Sequence, residues 1–272
     1  MKLNDSWLGR VRAFVVRDFQ LAISYRLAFF LRIVSILIII TTAFYISQIF
    51  GTREDSIFSQ WQNPLAAWIT GLAVLNYFMT GFSSLATAIR SEQLQGTLEG
   101  VLMTPISVPG LIVSSSAFDF VEANFYSFLY FLFGWLFFGV TFHGSYGLTF
   151  ILLILTTLVL ASLGILSASF ALVFKRGDPF AMVLGTSSAI LSGVFFPVQL
   201  LPESFRAVSN LLPTTYGLDA IRRVLIEGQG LNDVRSQLIV LICFLAVLLP
   251  LSLWVFSRAV RRAKYEGSLI QY

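Results

Sequence analysis

Long runs of hydrophobic residues, separated by shorter polar stretches, make up most of this sequence. Six of these runs reach the roughly 20 residues that a helix needs to cross a bilayer. The pattern predicts an all-α polytopic membrane protein with six transmembrane helices, organised as one transmembrane domain over residues 1–272. It divides the chain into an interface helix (1–27), spans one and two (28–89), a cytosolic loop (90–109), spans three to five (110–196), an outer segment (197–237), span six (238–257) and a cytosolic tail (258–272).

The N-terminal 27 residues are basic and amphipathic. At helical spacing, Trp7, Val11 and Phe14 fall on one arc, whereas Arg10 and Arg17 fall on the other. This pattern is typical of a helix that lies in the membrane interface with its basic face in the headgroup region. Asp18 interrupts the pattern because it falls inside the apolar arc.

The composition supports the membrane interpretation and gives the chain an orientation. Hydrophobic residues make up 57% of the chain and charged residues only 12%, whereas soluble domains carry about 25% charged residues. With a cytosolic N-terminus, 13 of the 18 basic residues lie in the segments on the inner side. Because basic residues favour the cytosolic side, we expect both termini to be cytosolic. Orientation also explains the positive net charge without any nucleic-acid partner.

Residues for several kinds of chemistry are missing from the sequence. There is no Gly-x-x-x-x-Gly-Lys-Ser/Thr phosphate loop, which is the usual ATP-binding motif. The single histidine, His143, and the single cysteine, Cys243, are too few for a His- or Cys-based metal site. We therefore expect no catalytic residue, metal or cofactor in this chain.

A short polar segment between spans two and three carries the most informative pattern. Within residues 90–105, one set of apolar residues recurs at helical spacing opposite a polar face, which predicts a helix of about ten residues on the membrane surface. The apolar residues are Leu94, Leu98, Val101 and Leu102; the polar ones are Glu92, Gln95 and Glu99. From the residues alone, this segment is either a docking surface or a solvated connector.

This segment resembles the signature loop of the type-2 ATP-binding-cassette exporter permeases. The resemblance is carried by Glu92, by the Gly-Thr-Leu-Glu run at 96–99 and by the Thr-Pro pair at 104–105. In that family the loop is a coupling helix that docks into a separate ATPase. The resemblance implies ATPase-coupling roles for Glu92, Gly96, Thr97, Glu99, Gly100, Thr104 and Pro105. Glycine weakens a helix, so we interpret Gly96 and Gly100 as sites of close approach.

A proline-rich stretch before span six resembles the same family. Pro202 and Pro213 divide it into two apolar-faced pieces of roughly ten residues, too short to span and thus expected to dip and return or to lie at the outer interface. The family places such paired helices at the outer mouth, where they act as a lid. The implied outer-gate residues are Pro197, Pro202, Pro213, Tyr216 and Arg222.

Acidic residues within span three need a partner or a polar path. Asp119 and Glu122 lie one helical turn apart on a stripe with Tyr126, and an acidic side chain at mid-membrane costs about 2.5–3.5 kcal/mol. They either pair with Arg12 or Arg17 of the interface helix, line the substrate path, or lie in a part of the helix that protrudes into the cytosol.

Small residues recur at four-residue spacing in two of the spans. Gly185, Ala189 and Gly193 do so in span five, and Gly164 with Ala168 in span four. Such faces allow close helix packing in lipid. We expect the span-five face to meet a partner helix near a dimer axis.

The resemblance implies that the chain is the permease subunit of an ATP-driven exporter. It implies a homodimer with two copies of a cytosolic ATPase that bind ATP and Mg²⁺, and a lipid, drug or lipid-linked glycan as hydrophobic or amphiphilic cargo. A heterodimer with a related permease stays open, as does the identity of the cargo. The alternatives are a membrane-embedded lipid-modifying enzyme that uses Asp119 and Glu122 as acid and base, and a purely structural assembly subunit.

The predicted orientation has a direct test. Cysteines placed at Ser59 and Ser145 are expected to react with a membrane-impermeant thiol reagent added outside sealed cells, and a cysteine at Ser91 is expected to stay unlabelled. Labelling at Ser91 in sealed cells would show that the orientation is inverted.

Overall fold

A computed structural model of the chain describes residues 15–20, 24–51, 61, 63–97, 100, 108–174 and 179–265. These residues fold into helices joined by turns, with no β-strand among them. The predicted all-α class is therefore confirmed for this part of the chain.

The described helices include one that precedes the first span. Residues 15–20 are helical, and we number the helices after them α1 to α8. Their bounds are α1 (Arg26–Gly51), α2 (Pro64–Leu94), α3 (Val108–Phe138), α4 (Tyr146–Phe174), α5 (Pro179–Leu191), α6 (Glu203–Ser209), α7 (Pro213–Leu225) and α8 (Arg235–Tyr265). A 3₁₀ turn, Val198–Leu200, lies between α5 and α6.

Five of the described helices, α1 to α4 and α8, are long and apolar enough to cross a membrane, where the sequence predicts six. The difference is α5, which has 13 residues and at 1.5 Å per residue is about 20 Å long. The hydrocarbon core is about 30 Å thick. The prediction that this helix continues through residue 196 is wrong: Gly193 has φ +86°, a left-handed conformation that an α-helix does not contain.

Two helix boundaries have clear local causes. Helix α2 begins at Pro64, and the side chain of Asn63 caps it by accepting a hydrogen bond from the Ala66 N–H at 3.0 Å. Helix α3 ends at Phe138, because Gly139 adopts φ +65°. A glycine in this conformation commonly ends a helix.

Helix α2 lies at the centre of the bundle. It packs most extensively against α3 and α4, and also contacts α1, α5 and α7. One hydrophobic cluster joins Ile89 of α2 to Leu111 of α3, Leu172 of α4 and Ala263 of α8. The ends of α2, α4 and α8 therefore meet the start of α3. We call this side of the bundle the Glu92 end and the opposite side the Arg222 end.

A very close contact between two spans is made by glycines of α2 and α4. A Cβ atom built on Gly164 would lie 2.1 Å from the carbonyl oxygen of Gly81, and one built on Gly81 would lie 2.9 Å from the Cβ of Leu160. Ala168, one turn after Gly164, is fully buried. The small-residue face predicted on the fourth span thus packs against α2 of the same chain.

Replacing Gly164 by alanine should disrupt this contact. Since no space remains for the methyl group, the two helices must move apart, at a cost of about 1–3 kcal/mol or more. We expect Gly164→Ala to lower the melting temperature of the detergent-solubilised protein, measured by tryptophan fluorescence. The matched control is Gly147→Ala in the first turn of α4, where a Cβ meets nothing within 4 Å. Equal melting of the two variants would contradict the close contact.

Candidate functional site

Helix α2 ends in a glycine cap at the Glu92 end. The N–H of Thr97 donates to the Glu92 carbonyl at 3.0 Å, and the N–H of Gly96 donates to the Gln93 carbonyl at 3.1 Å. Gly96 itself has φ +69°. This pattern is a Schellman motif, in which glycine is favoured because it adopts a positive φ without steric strain.

The cap changes the interpretation of Gly96. A Cβ built on this residue meets nothing within 4 Å of the described chain. Within the described chain, the backbone conformation explains the glycine. The cap also shows that residues 90–94 belong to α2, so Leu94 does not lie on a separate short helix as the sequence analysis predicted.

The side chain of Glu92 links this cap to the N-terminal segment. Its Oε1 atom accepts from Nη1 of Arg17 at 2.9 Å, and its Oε2 atom accepts from the hydroxyl of Thr97. Arg17 also donates through Nε to Asp18 at 2.8 Å. The Glu92 side chain is only 14% exposed, whereas the Arg17 side chain is half exposed. This contact joins the segment before α1 to the end of α2.

Only part of the predicted coupling segment is described. Glu92, Gly96 and Thr97 lie together at the end of α2, and Gly100 is helical and exposed. The remaining predicted residues lie outside the described residues; they are Glu99, Thr104 and Pro105.

The acidic residues of α3 find their partners within the bundle. Glu122 accepts from Nη1 of Arg32 at 3.3 Å, and Asp119 accepts from the hydroxyl of Ser84 at 2.6 Å. The guanidinium carbon of Arg32 lies 3.8 Å from the centre of the Tyr126 ring. Arg17, one of the two partners expected from the sequence, contacts neither acid because it pairs with Asp18 and Glu92.

The other expected partner, Arg12, lies outside the described residues. Arg32 of α1, the partner of Glu122, was not among the expected partners. Its visible signal in the sequence is a positive charge inside an otherwise apolar stretch of the first span, a pattern that in membranes usually indicates a charged partner.

Asn76 of α2 extends this polar network into the centre of the bundle. Its Nδ2 atom donates to the Ala123 carbonyl at 3.1 Å and to Oγ of Ser127 at 3.3 Å. Ser127 in turn donates to the Ala73 carbonyl at 2.9 Å. Since lipid supplies no hydrogen-bonding groups, such contacts hold α2 and α3 together in the bilayer.

The prolines at the Arg222 end lie where a turn or a helix starts. Pro197 caps the 3₁₀ turn, Pro202 precedes α6 and Pro213 is the first residue of α7. The hydroxyl of Tyr216 donates to the Asn210 carbonyl at 2.9 Å, which closes the loop between α6 and α7. Proline favours these positions because its fixed φ suits the first helical turn.

Arg222 of α7 binds the backbone of two other elements. Its Nε and Nη2 atoms donate to the Ala67 carbonyl at 3.2 and 2.8 Å. Nη1 donates to the Gly193 carbonyl at 2.6 Å, and Nη2 also donates to the Val194 carbonyl at 3.1 Å. Burial lowers the pKa of Arg222 to about 9, so the guanidinium remains protonated at neutral pH. Arg222 therefore fixes α7 to the start of α2 and to the turn after α5.

This arginine also accounts for Gly193. Gly193 lies beyond the end of α5 in a left-handed conformation, and its carbonyl accepts a hydrogen bond from Arg222. A Cβ on this residue would lie 2.9 Å from the side chain of Val198. The prediction that it continues the small face of Gly185 and Ala189 is wrong. Gly185 faces Met79 of α2, since a Cβ there would lie 3.1 Å from the Met79 sulfur.

A polar cleft of about 470 Å³ opens beside Arg222. It is bounded by Trp61 and Asn63 before α2, by the turn after α5, by α7 and by the start of α8. The guanidinium carbon of Arg222 lies 4.7 Å from the centre of the Trp61 ring.

Comparison with known protein families shows the family to which this chain belongs. A family model described as "ABC-2 type transporter" matches residues 10–226, a range that contains both the Arg17–Glu92 contact and the Arg222 contacts. The chain belongs to the ABC-2 type transporter family. Membership supports a membrane transport subunit of an ABC transporter.

Individual members of the ABC-2 family match at lower coverage. The chain is 23% identical over 183 residues to "Inner membrane transport permease YadH" of Escherichia coli, covering 61% of this chain and 63% of that protein. It is 21% identical over 197 residues to the E. coli "Probable multidrug ABC transporter permease YbhR", covering 68% and 52%. It is 29% identical over 119 residues to "ABC transporter G family member 20" of Dictyostelium discoideum, covering 44% and 16%. The match thus spans less than two thirds of each relative.

Two adjacent arginines allow the role of Arg222 in this ABC-2 protein to be tested. Arg222→Met leaves three backbone carbonyls without their donor, and hydrogen bonds to charged groups contribute about 1.5–3 kcal/mol each. We expect the free energy of unfolding to fall by at least about 3 kcal/mol, measured by denaturant titration in detergent micelles. Arg223→Met is the control, because Arg223 makes a half-exposed i, i+4 pair with Asp219, a type worth about 0.5 kcal/mol. Similar losses of unfolding free energy in both variants would contradict the role of Arg222 in fixing α7.

Proposed function

We propose that this chain is the membrane-spanning permease subunit of an ATP-driven exporter. It acts as a homodimer with two copies of a separate cytosolic ATPase, which bind ATP and Mg²⁺. It moves a lipid, drug or lipid-linked glycan outward across a bacterial inner membrane, with both of its termini in the cytosol. The observation that carries the proposal is the Arg17–Glu92 contact at the end of α2, within a chain of the ABC-2 family.

The geometry of α2 supports a coupling role for its Glu92 end. The helix has 31 residues and is about 46 Å long, longer than the roughly 30 Å hydrocarbon core. Its last turns carry Arg90, Glu92 and Gln93, so we place the excess length at this end, beyond the hydrocarbon core and within reach of a soluble subunit. Because Glu92 also binds Arg17, a force applied to the segment after α2 acts on the N-terminal helical segment as well.

The same helix connects the two ends of the molecule. Ala67, which holds Arg222, precedes Glu92 by 25 residues, or about 38 Å along the helix axis. A rigid shift of α2 at the Glu92 end thus moves the carbonyl that anchors α7 at the Arg222 end. In this mechanism ATP binding closes the ATPases, α2 transmits the movement, and α6 and α7 open as an outer lid.

The second copy is proposed to lie against spans that this chain leaves uncovered. Helices α1 and α8 bury only a small part of their apolar surface within the chain, so lipid or another subunit covers the rest. The face of Gly185 on α5 is covered by Met79 of α2 in the same chain and is not part of this proposal.

No contact among the described residues supports the alternative of a lipid-modifying enzyme. An acid–base pair needs carboxyl groups that are free to exchange protons with a substrate. Instead, Glu122 is paired with Arg32 and Asp119 accepts from Ser84. These contacts favour a structural role for both acids.

The coupling role is tested at Glu99 and Gly96. Removal of a charged contact at a buried interface costs about 2–5 kcal/mol, so Glu99→Ala should leave the protein in the membrane but detach or uncouple the ATPase. Gly96→Leu should act through the cap, since a left-handed conformation costs leucine about 1–2 kcal/mol. The measurement is ATPase co-purification and permease-stimulated ATP hydrolysis in proteoliposomes.

The matched control is Gly96→Asn, because asparagine tolerates the left-handed conformation. We expect it to retain ATPase binding and stimulated hydrolysis. If Glu99→Ala and Gly96→Leu both couple normally, the segment is a connector and the proposed function loses its main support.

A further inference from the structure

The polar cleft beside Arg222 has the size of a ligand site. Its volume of about 470 Å³ falls within the roughly 300–1,000 Å³ of typical small-molecule sites. It lies at the Arg222 end, away from the Arg17–Glu92 contact and from the network around Arg32. Its lining is rich in amides and aromatic rings, among them Trp61, Gln199, Asn210, Tyr216 and Gln237.

The charges in the cleft are already compensated. Two arginines, Arg222 and Arg223, face two acids, Asp219 and Glu227. Four hydrogen bonds to backbone carbonyls occupy Arg222, and Arg223 pairs with Asp219 at 2.9 Å. Gln237 adds a second donor to Asp219 at 2.7 Å. An anion therefore finds no uncompensated positive charge, which argues for a neutral ligand.

Neutral groups suited to hydroxyl recognition remain in the lining. Described residues donate hydrogen bonds to the backbone carbonyls of Gln199 and Asn210. The side chains of both residues are exposed at the cleft. A side-chain amide offers both a donor and an acceptor, which matches the two roles of a sugar hydroxyl. Trp61 and Tyr216 supply aromatic rings, against which the C–H face of a sugar ring packs.

A second cleft adjoins the first. It has a volume of about 290 Å³, shares Asn63 with the polar cleft, and is lined by Phe44, Leu65 and Phe138 of three spans. A polar site next to a partly apolar one accommodates an amphiphile as readily as a free sugar.

We propose that the cleft between Trp61, Asn210 and Tyr216 binds a neutral, hydroxyl-rich ring, namely a sugar, either free or as the headgroup of a glycolipid. This binding does not require the exporter function and is tested separately from it.

The first experiment uses the full chain in phosphatidylcholine nanodiscs assembled with cholate, so that no glycosidic detergent fills the cleft. Maltose is the probe, and binding is followed by saturation-transfer difference NMR. We expect a saturable signal that inorganic phosphate at tenfold excess does not reduce. No saturable signal, or displacement by phosphate, would overturn the proposal.

Variants locate the site. Trp61→Leu should weaken maltose binding about tenfold, the effect of losing an aromatic contact of about 1.4 kcal/mol, and Asn210→Ala should weaken it about threefold. Trp135→Leu is the control, because Trp135 lies on α3 with 60% of its surface exposed. A folding check by thermal melting accompanies each variant. Equal loss in Trp135→Leu, or unchanged binding in both cleft variants, contradicts the assignment.

A second arm separates the two sources of the sugar. Nanodiscs that contain diglucosyl diacylglycerol are compared with nanodiscs of phosphatidylcholine alone. Loss of the maltose signal in the glycolipid discs assigns the cleft to a lipid headgroup, and an unchanged signal assigns it to a free sugar. Because ATP hydrolysis is not measured, failure here leaves the coupling experiment untouched.

Discussion

The close contact between α2 and α4 is the constraint on which the rest of the bundle depends. At Gly81 and Gly164 the two backbones approach so closely that neither position has room for a side chain. In lipid there is little hydrophobic driving force between spans, so packing of this kind holds helices together. With α4 fixed in this way, α2 presents its other faces to α1, α3, α5 and α7.

Polar contacts then complete the arrangement around α2. Arg32, Asn76 and Arg222 each bind groups on a neighbouring element, and each of these contacts includes a residue of α2. The bilayer core offers no water to polar groups, so these side chains must find partners inside the protein. Their partners fix the register between spans as well as satisfying the charges.

The two ends of α2 make different contacts. One end is capped by Gly96 and paired with Arg17, and the other supplies the Ala67 carbonyl to Arg222. A single helix therefore joins the segment proposed to meet an ATPase with the short helices proposed to close the outer side.

The sequence by itself determined the helical class, most span positions and the residues that mark the family, because hydrophobic length and proline or glycine punctuation are local properties. Pro213 begins a helix where the pattern predicts one. Tertiary structure decided which charges meet, since the side chains of Arg32 and Glu122 lie 90 positions apart and come together only through the packing of α1 on α3. It also decided the meaning of the glycines. Gly164 serves a contact with α2, whereas Gly96 and Gly193 serve positive φ angles. Spacing along a helix shows that a face is small, but only the neighbouring backbone shows what that face accommodates.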